Sequence, residues 1–166
     1  MTPMTAMVNP LPAYQPLAEP APPVAGGVEI ATPFGRLSVE AAGVLTITGG
    51  ILGFEGCSRF ALAPIPKPRL SRFMVLQSIE QPTLSFIVLP VAEGDLLAAA
   101  DREEAAALLG CAPEDAAFLL MVTVRKEGDR SAMSVNLRAP IVVDTHRRIA
   151  RQCVLSNNAY SVRHPL

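Results

Sequence analysis

The sequence holds no tryptophan, two tyrosines and six phenylalanines. Single-stranded nucleic acid is bound by stacking bases on exposed aromatic rings, and most of these few rings lie inside apolar runs. A β-barrel RNA-binding module, with Arg147, Arg148, Arg151 and Arg163 on phosphates, is therefore the second reading and not the first. Histidine is equally scarce, with only His146 and His164. A metal site takes three or four ligands at close spacing, so no metal and no cofactor are expected. The three cysteines, Cys57, Cys111 and Cys153, are odd in number and far apart. They suggest buried free thiols and not a disulfide framework. No elbow serine, H-x-x-x-H or isolated carboxylate pair is present. Cys57 with His146 is the one conceivable catalytic pair, and nothing around Cys57 in sequence would stabilise a thiolate. The reading is of a protein that is not an enzyme.

Further absences bound the class. The first 27 residues have no Lys or Arg, whereas a secretory leader carries a positive n-region and a transit peptide carries arginines. No run of eighteen apolar residues exists to cross a membrane. The formal net charge of −1 gives no overall field toward nucleic acid or anionic lipid.

What is present reads as one domain with a Pro-rich N-terminal tail. Residues 1–27 hold seven of the sixteen prolines and close on Gly26-Gly27. That composition predicts a disordered, partly polyproline-like tail, with the folded domain at 28–166. Within 28–166, apolar residues recur with the period of strands. Val28–Ala31 and Arg36–Val39 flank Thr32-Pro33-Phe34-Gly35, a hairpin signal. Val44–Ile47, Arg59–Leu62, Phe73–Ser78, Leu84–Leu89 and Phe118–Arg125 follow as strands. Between them, Gly49–Gly56 holds four glycines in eight residues. No Lys-Ser/Thr and no helix follow it, so a packed turn is expected there and not a phosphate cradle.

The stretch Met133–Asp144, M-S-V-N-L-R-A-P-I-V-V-D, organises the remainder. Met133, Val135 and Leu137 alternate with polar residues, then Pro140 breaks the ladder before Ile141–Val143. This predicts a hairpin followed by a bend, a corner where a small sheet closes. Ala150–Leu155 is a further strand. The single helical stretch is Glu93–Asp115, with Asp101 and Glu104 at capping-box spacing, Gly110 at the C-terminal cap, and Ala105, Leu108 and Leu109 facing inward. That stretch carries seven acids against one arginine, while 122–166 carries eight basic residues against three acids. About ten short strands and one short helix indicate an all-β, small antiparallel β-barrel-like domain.

Five segments together carry a resemblance. They are G-I-L-G-F-E-G (Gly50–Gly56), L-Q-S-I-E-Q-P-T-L-S-F-I-V (Leu76–Val88), V-T-V (Val122–Val124), the organising stretch, and Y-S-V-R-H-P-L (Tyr160–Leu166). From about Glu29 onward the chain resembles the flagellar assembly factor FliW family. The resemblance implies a monomeric, cytoplasmic, barrel-like protein with two alternative partners. One is flagellin, held before export; the other is the RNA-binding translational repressor CsrA, which the family antagonises by direct contact. It implies no catalysis, metal or cofactor, and no direct nucleic-acid or membrane binding. The Pro-rich tail, the Pro64–Arg72 loop, and Phe73-Met74-Val75 in place of a Trp-containing aromatic cluster depart from the family pattern. Phe54, Glu55, Glu80, Asn136, Arg138, Tyr160, Arg163 and His164 fall in the matching motifs without an evident core role, and are the expected partner-binding residues. The acidic stretch Glu93–Asp115 is the expected face toward a basic repressor.

Overall fold

A computed structural model of the chain describes residues 26–166. The expected disordered tail lies outside the described residues, Gly26 and Gly27 excepted. Eleven strands and one α-helix appear within them. β1 (Val28–Thr32) and β2 (Gly35–Val39) form a separate hairpin in register Thr32 to Gly35. Its two-residue turn is closed by Thr32 Oγ1, which accepts from Phe34 N and donates to Gly35 O.

The other strands build the ring. β3 (Val44–Ile47), β4 (Arg59–Pro64), β5 (Met74–Ser78) and β6 (Ser85–Val91) follow one another as an antiparallel meander. β7 (Ala116–Glu127) is the longest at 12 residues and continues the meander beside β6. β8 (Arg130–Val135) and β9 (Ile141–Asp144) both pair antiparallel with β7, β8 along its second half and β9 along its first. β10 (Ile149–Gln152) joins β9 to β3, the pairing with β3 being parallel, and so closes the ring. β11 (His164–Pro165) adds to the outer edge of β8.

The organising stretch is thus a single path along β7, interrupted at its middle. Asn136 N still donates to Met121 O, and then the Asn136 Oδ1 takes the N–H groups of Arg138 and Ala139. The side chain replaces ladder partners across the bend, an Asx-type turn. Pro140, with no N–H, sits buried at the break, where its missing donor costs nothing.

Both faces of the sheet are buried, which explains the nearly continuous apolar runs of β5 and β6. Leu45, Ile47, Phe60, Leu76, Phe86, Val88, Leu119, Ile141, Val143 and Ala150 form one cluster. It draws on all seven ring strands and therefore fills the interior. Alternate residues, such as Ala61, Val75, Ile87, Leu120 and Val142, form a second cluster. That cluster lies between the ring and its outer elements: the β1–β2 hairpin, β8 and the helix.

The helix, α1 (Ala99–Leu109), is shorter than the expected Glu93–Asp115. Its N-cap is Ala98, with no side-chain cap, so the Asp101–Glu104 capping box does not form. Both carboxylates are engaged elsewhere, Asp101 by Tyr160 and Glu104 by Ser156. Gly110 caps the C-terminus at φ 83°, as its position predicts. Ala105 and Ala106 are fully buried and Leu109 packs against the core, but Leu108 is 44% exposed and does not face inward. Cys57 and Cys153 are buried free thiols; Cys111 is only half-buried, which departs from the expectation. Burial raises the pKa of the Cys111 and Cys153 thiols. No helix among the described residues is long and apolar enough to cross a membrane.

Candidate partner-binding surface

The Gly-rich loop folds as a packed turn. Gly50 adopts φ 67°, and a Cβ there would stand 2.6 Å from Glu55 Cα, so only glycine fits. Ile51 and Phe54 form an isolated bridge, and the Phe54 ring meets Phe86 edge-on at 5.4 Å. Phe54 is half-buried, seated on the interior cluster. Glu55 is exposed, and its Oε1 accepts from Gly53 N. That backbone bond holds the Glu55 carboxyl below its ordinary pKa.

Glu80 stands beside this loop. Its two carboxylate oxygens accept from Ser58 N, Ser58 Oγ and Arg59 N at 2.9–3.3 Å. The β5–β6 turn is thereby tied to the start of β4. The same turn is built from within by buried Gln77, whose Nε2 donates to Ser78 O, Pro82 O and Leu84 O.

The second group gathers around the bend and the C-terminal segment. Asn136 makes the Asx-type turn, and Arg138 Nη2 donates to Asn158 Oδ1 at 2.5 Å. Tyr160 is half-buried; its hydroxyl accepts from Ala98 N at 2.8 Å and donates to Asp101 Oδ2 at 2.7 Å. Desolvation, assisted by the Asp101 carboxylate, raises the Tyr160 pKa. Arg163 is exposed, with only its backbone N–H engaged, by Ser161 Oγ. His164 is half-buried and pairs with Val135 as the start of β11.

Gln152, which sequence reasoning passed over, joins the two groups. Its Oε1 accepts from Leu52 N and its Nε2 donates to Ala139 O. Beside it, Leu52 and Val154 are each 55% exposed. The phase of β10 hid Val154. Ala150 belongs to the interior cluster while Cys153 and Leu155 belong to the outer one, so residues an odd number apart are both buried, and Val154 lies exposed beyond the end of the strand at Gln152. The conceivable Cys57–His146 pair is not assembled, since Cys57 Sγ lies against Gln81 Oε1 and His146 Nε2 against Asp115 Oδ1. No group of three or more His, Cys, Asp or Glu suited to a metal ion occurs among the described residues.

Comparison with known proteins places the chain. The sequence profile of the FliW protein family matches residues 29–166. The chain belongs to the FliW family. Among curated members, the flagellar assembly factor FliW of Bdellovibrio bacteriovorus is 36% identical over 138 residues, covering 80% of this chain and 75% of that protein. That of Geotalea uraniireducens is 38% identical over 138 residues, covering 81% and 80%. That of Leptospira interrogans is 33% identical over 152 residues, covering 84% and 93%. A crystal structure of the flagellar assembly factor FliW superposes with a TM-score of 0.62 at 23% identity, over 83% of this chain and 96% of that one. This structural likeness bears on the fold, and it agrees with the barrel-like ring expected from the sequence.

Proposed function

We propose that this chain is a flagellar assembly factor that works in the cytoplasm as a monomer, by binding proteins and without catalysis. In this reading it holds flagellin before export and, when flagellin is scarce, binds a CsrA-type RNA-binding repressor and relieves translational repression. The observation that carries the reading is the family match across residues 29–166, which spans the whole barrel. Gln152 adds support by joining the Gly-rich loop to the bend, so that two matching motifs form one continuous surface. The acidic stretch supports the repressor arm in a narrower form than its sequence suggests. Asp101, Glu104 and Asp115 are engaged within the fold, which leaves exposed Glu93, Asp95, Glu103 and Glu114 to steer a basic partner. RNA binding loses ground on the same bookkeeping. Arg147 is bonded to Asp144 and Gly110 O, and Arg151 to Leu108 O.

Calorimetric titration of the full-length protein with flagellin, and separately with the CsrA homologue of the same cell, tests the reading. Binding to both, each blocking the other, is expected. Binding to flagellin alone would remove the translational arm, and silence toward both would overturn the proposal. Glu103→Lys should lower the on-rate for the repressor at low salt and leave it unchanged at high salt.

A further inference from the structure

The outer edge of β8 is only partly covered. β11 pairs with Val135 and Ser134, and the last rung is Leu166 N to Met133 O. Hydrogen-bonding directions alternate along an antiparallel strand. Asn136 N points to Met121 on β7, whereas Leu137 N and Met133 O point outward to the C-terminal segment. The same alternation turns the N–H and C=O of Ser131 outward, onto an edge that β11 does not reach. Ser131 and Ala132 are exposed.

A groove of about 400 Å³ runs along this edge, between Ser131–Met133 and the loop carrying Arg69 and Arg72. Leu70, Phe73 and Met133 give it apolar walls. A second hollow, of about 570 Å³, opens on Lys67–Leu70 and shares Arg69 and Leu70 with the first. No carboxylate side chain lines either one among the described residues. Neither Arg69 nor Arg72 takes part in the ion pairs His146–Asp115 and Arg147–Asp144. Arg72 lies 4.9 Å over the Phe73 ring, and Lys67 lies 5.6 Å over the Phe34 ring.

An open strand edge, apolar walls and two guanidinium groups together specify one kind of occupant. We propose that this groove takes an extended, acidic peptide segment of a partner protein as an added strand on β8. Its backbone continues the ladder at Ser131, beyond the Leu166 rung on Met133, and its carboxylates meet Arg69 and Arg72. The proposal is independent of which protein carries the segment.

The probe is acetyl-Glu-Val-Thr-Val-Glu amide, titrated into the ¹⁵N-labelled full-length protein. Shifts of the Ser131, Ala132 and Met133 amides are expected, together with loss of binding in the Arg69→Glu/Arg72→Glu variant. The Lys-Val-Thr-Val-Lys counterpart should not bind. Ser131→Pro removes only an outward N–H and should weaken binding about three- to tenfold. N-methylation of the peptide at alternate residues tests the ladder with the protein unaltered. One of the two alternating patterns should abolish binding and the other spare it. No shift at millimolar peptide, equal binding of the lysine peptide, or indifference to both methylation patterns would overturn the proposal. So would a single-stranded RNA oligomer displacing the peptide with an affinity insensitive to Ser131→Pro.

Discussion

Tyr160→Phe removes one oxygen and should have a cost out of proportion to its size. The helix α1 starts without a side-chain cap, and the Tyr160 hydroxyl is the group that binds both its N-cap amide and the Asp101 carboxylate of its first turn. Without it, Ala98 N–H loses its acceptor and Asp101 keeps only Asn157 Nδ2, at 3.3 Å. A neutral hydrogen bond contributes roughly 0.5–1.5 kcal/mol and one to a charged group roughly 1.5–3 kcal/mol. Both sites are partly exposed, so the lower ends apply and the sum is about 2 kcal/mol. For a domain of this size that corresponds to a fall in Tm of about 4–8 °C. Urea unfolding of Tyr160→Phe, Asp101→Asn and the double variant measures the loss and its coupling, expected at about 1 kcal/mol. The alkaline limb carries an independent signature. The raised Tyr160 pKa means that its contribution is complete below the ordinary tyrosine value and is lost as pH rises through the folded value. Tyr160→Phe should flatten that limb. A loss below about 0.5 kcal/mol, or no coupling to Asp101, would refute the capping role.

Glu80→Ala should destabilise by about 2–3 kcal/mol, since it strips acceptors from Ser58 and Arg59 at once. Glu55→Ala, which loses one exposed turn contact, should leave denaturant midpoints nearly unchanged. Asp144 is held below its ordinary pKa by the Arg147 backbone N–H first, then by the Arg147 side chain and the His146 N–H. Its contribution is therefore present above the ordinary aspartate value and lost as pH falls through the folded value. Asp144→Asn should flatten the acid limb of stability measured between those two values.

Legibility in the sequence followed what each residue had to satisfy. Strands β5 and β6 were readable because both faces are buried, so every residue reports the fold. The bend at Asn136–Pro140 was readable because proline and asparagine have few other roles at that spacing. The start of α1 was not readable, because its capping signal is a pair of carboxylates with longer-range partners, Tyr160 and Ser156, 59 and 52 residues away. A local pattern cannot distinguish a capping aspartate from one that anchors a distant tyrosine. Leu108 was misplaced for a related reason. The helix presents two alanines to the barrel, and a small-residue face gives the periodicity too little contrast to fix its phase.

The candidate residues show where family identity and partner contact diverge. Phe54 packs on the interior, and Glu55, Glu80, Asn136, Arg138 and Tyr160 direct their polar atoms at loops of the same chain. Substituting any of these six changes the shape of the surface, so a lost partner would not distinguish contact from scaffolding. Arg163 is different, since its side chain is exposed and its bond to Ser161 Oγ runs through the backbone N–H. Leu52, Val154 and Val162 share that exposure and carry apolar area of the kind partners bury. The motifs that mark this chain as a family member are therefore mostly the framework, and the partner-specific chemistry belongs on what the framework displays. Mutations that leave the hydrogen bonds of Glu80, Asn136 and Tyr160 intact, while altering Leu52, Val154 or Arg163, separate binding from folding where motif mutations cannot.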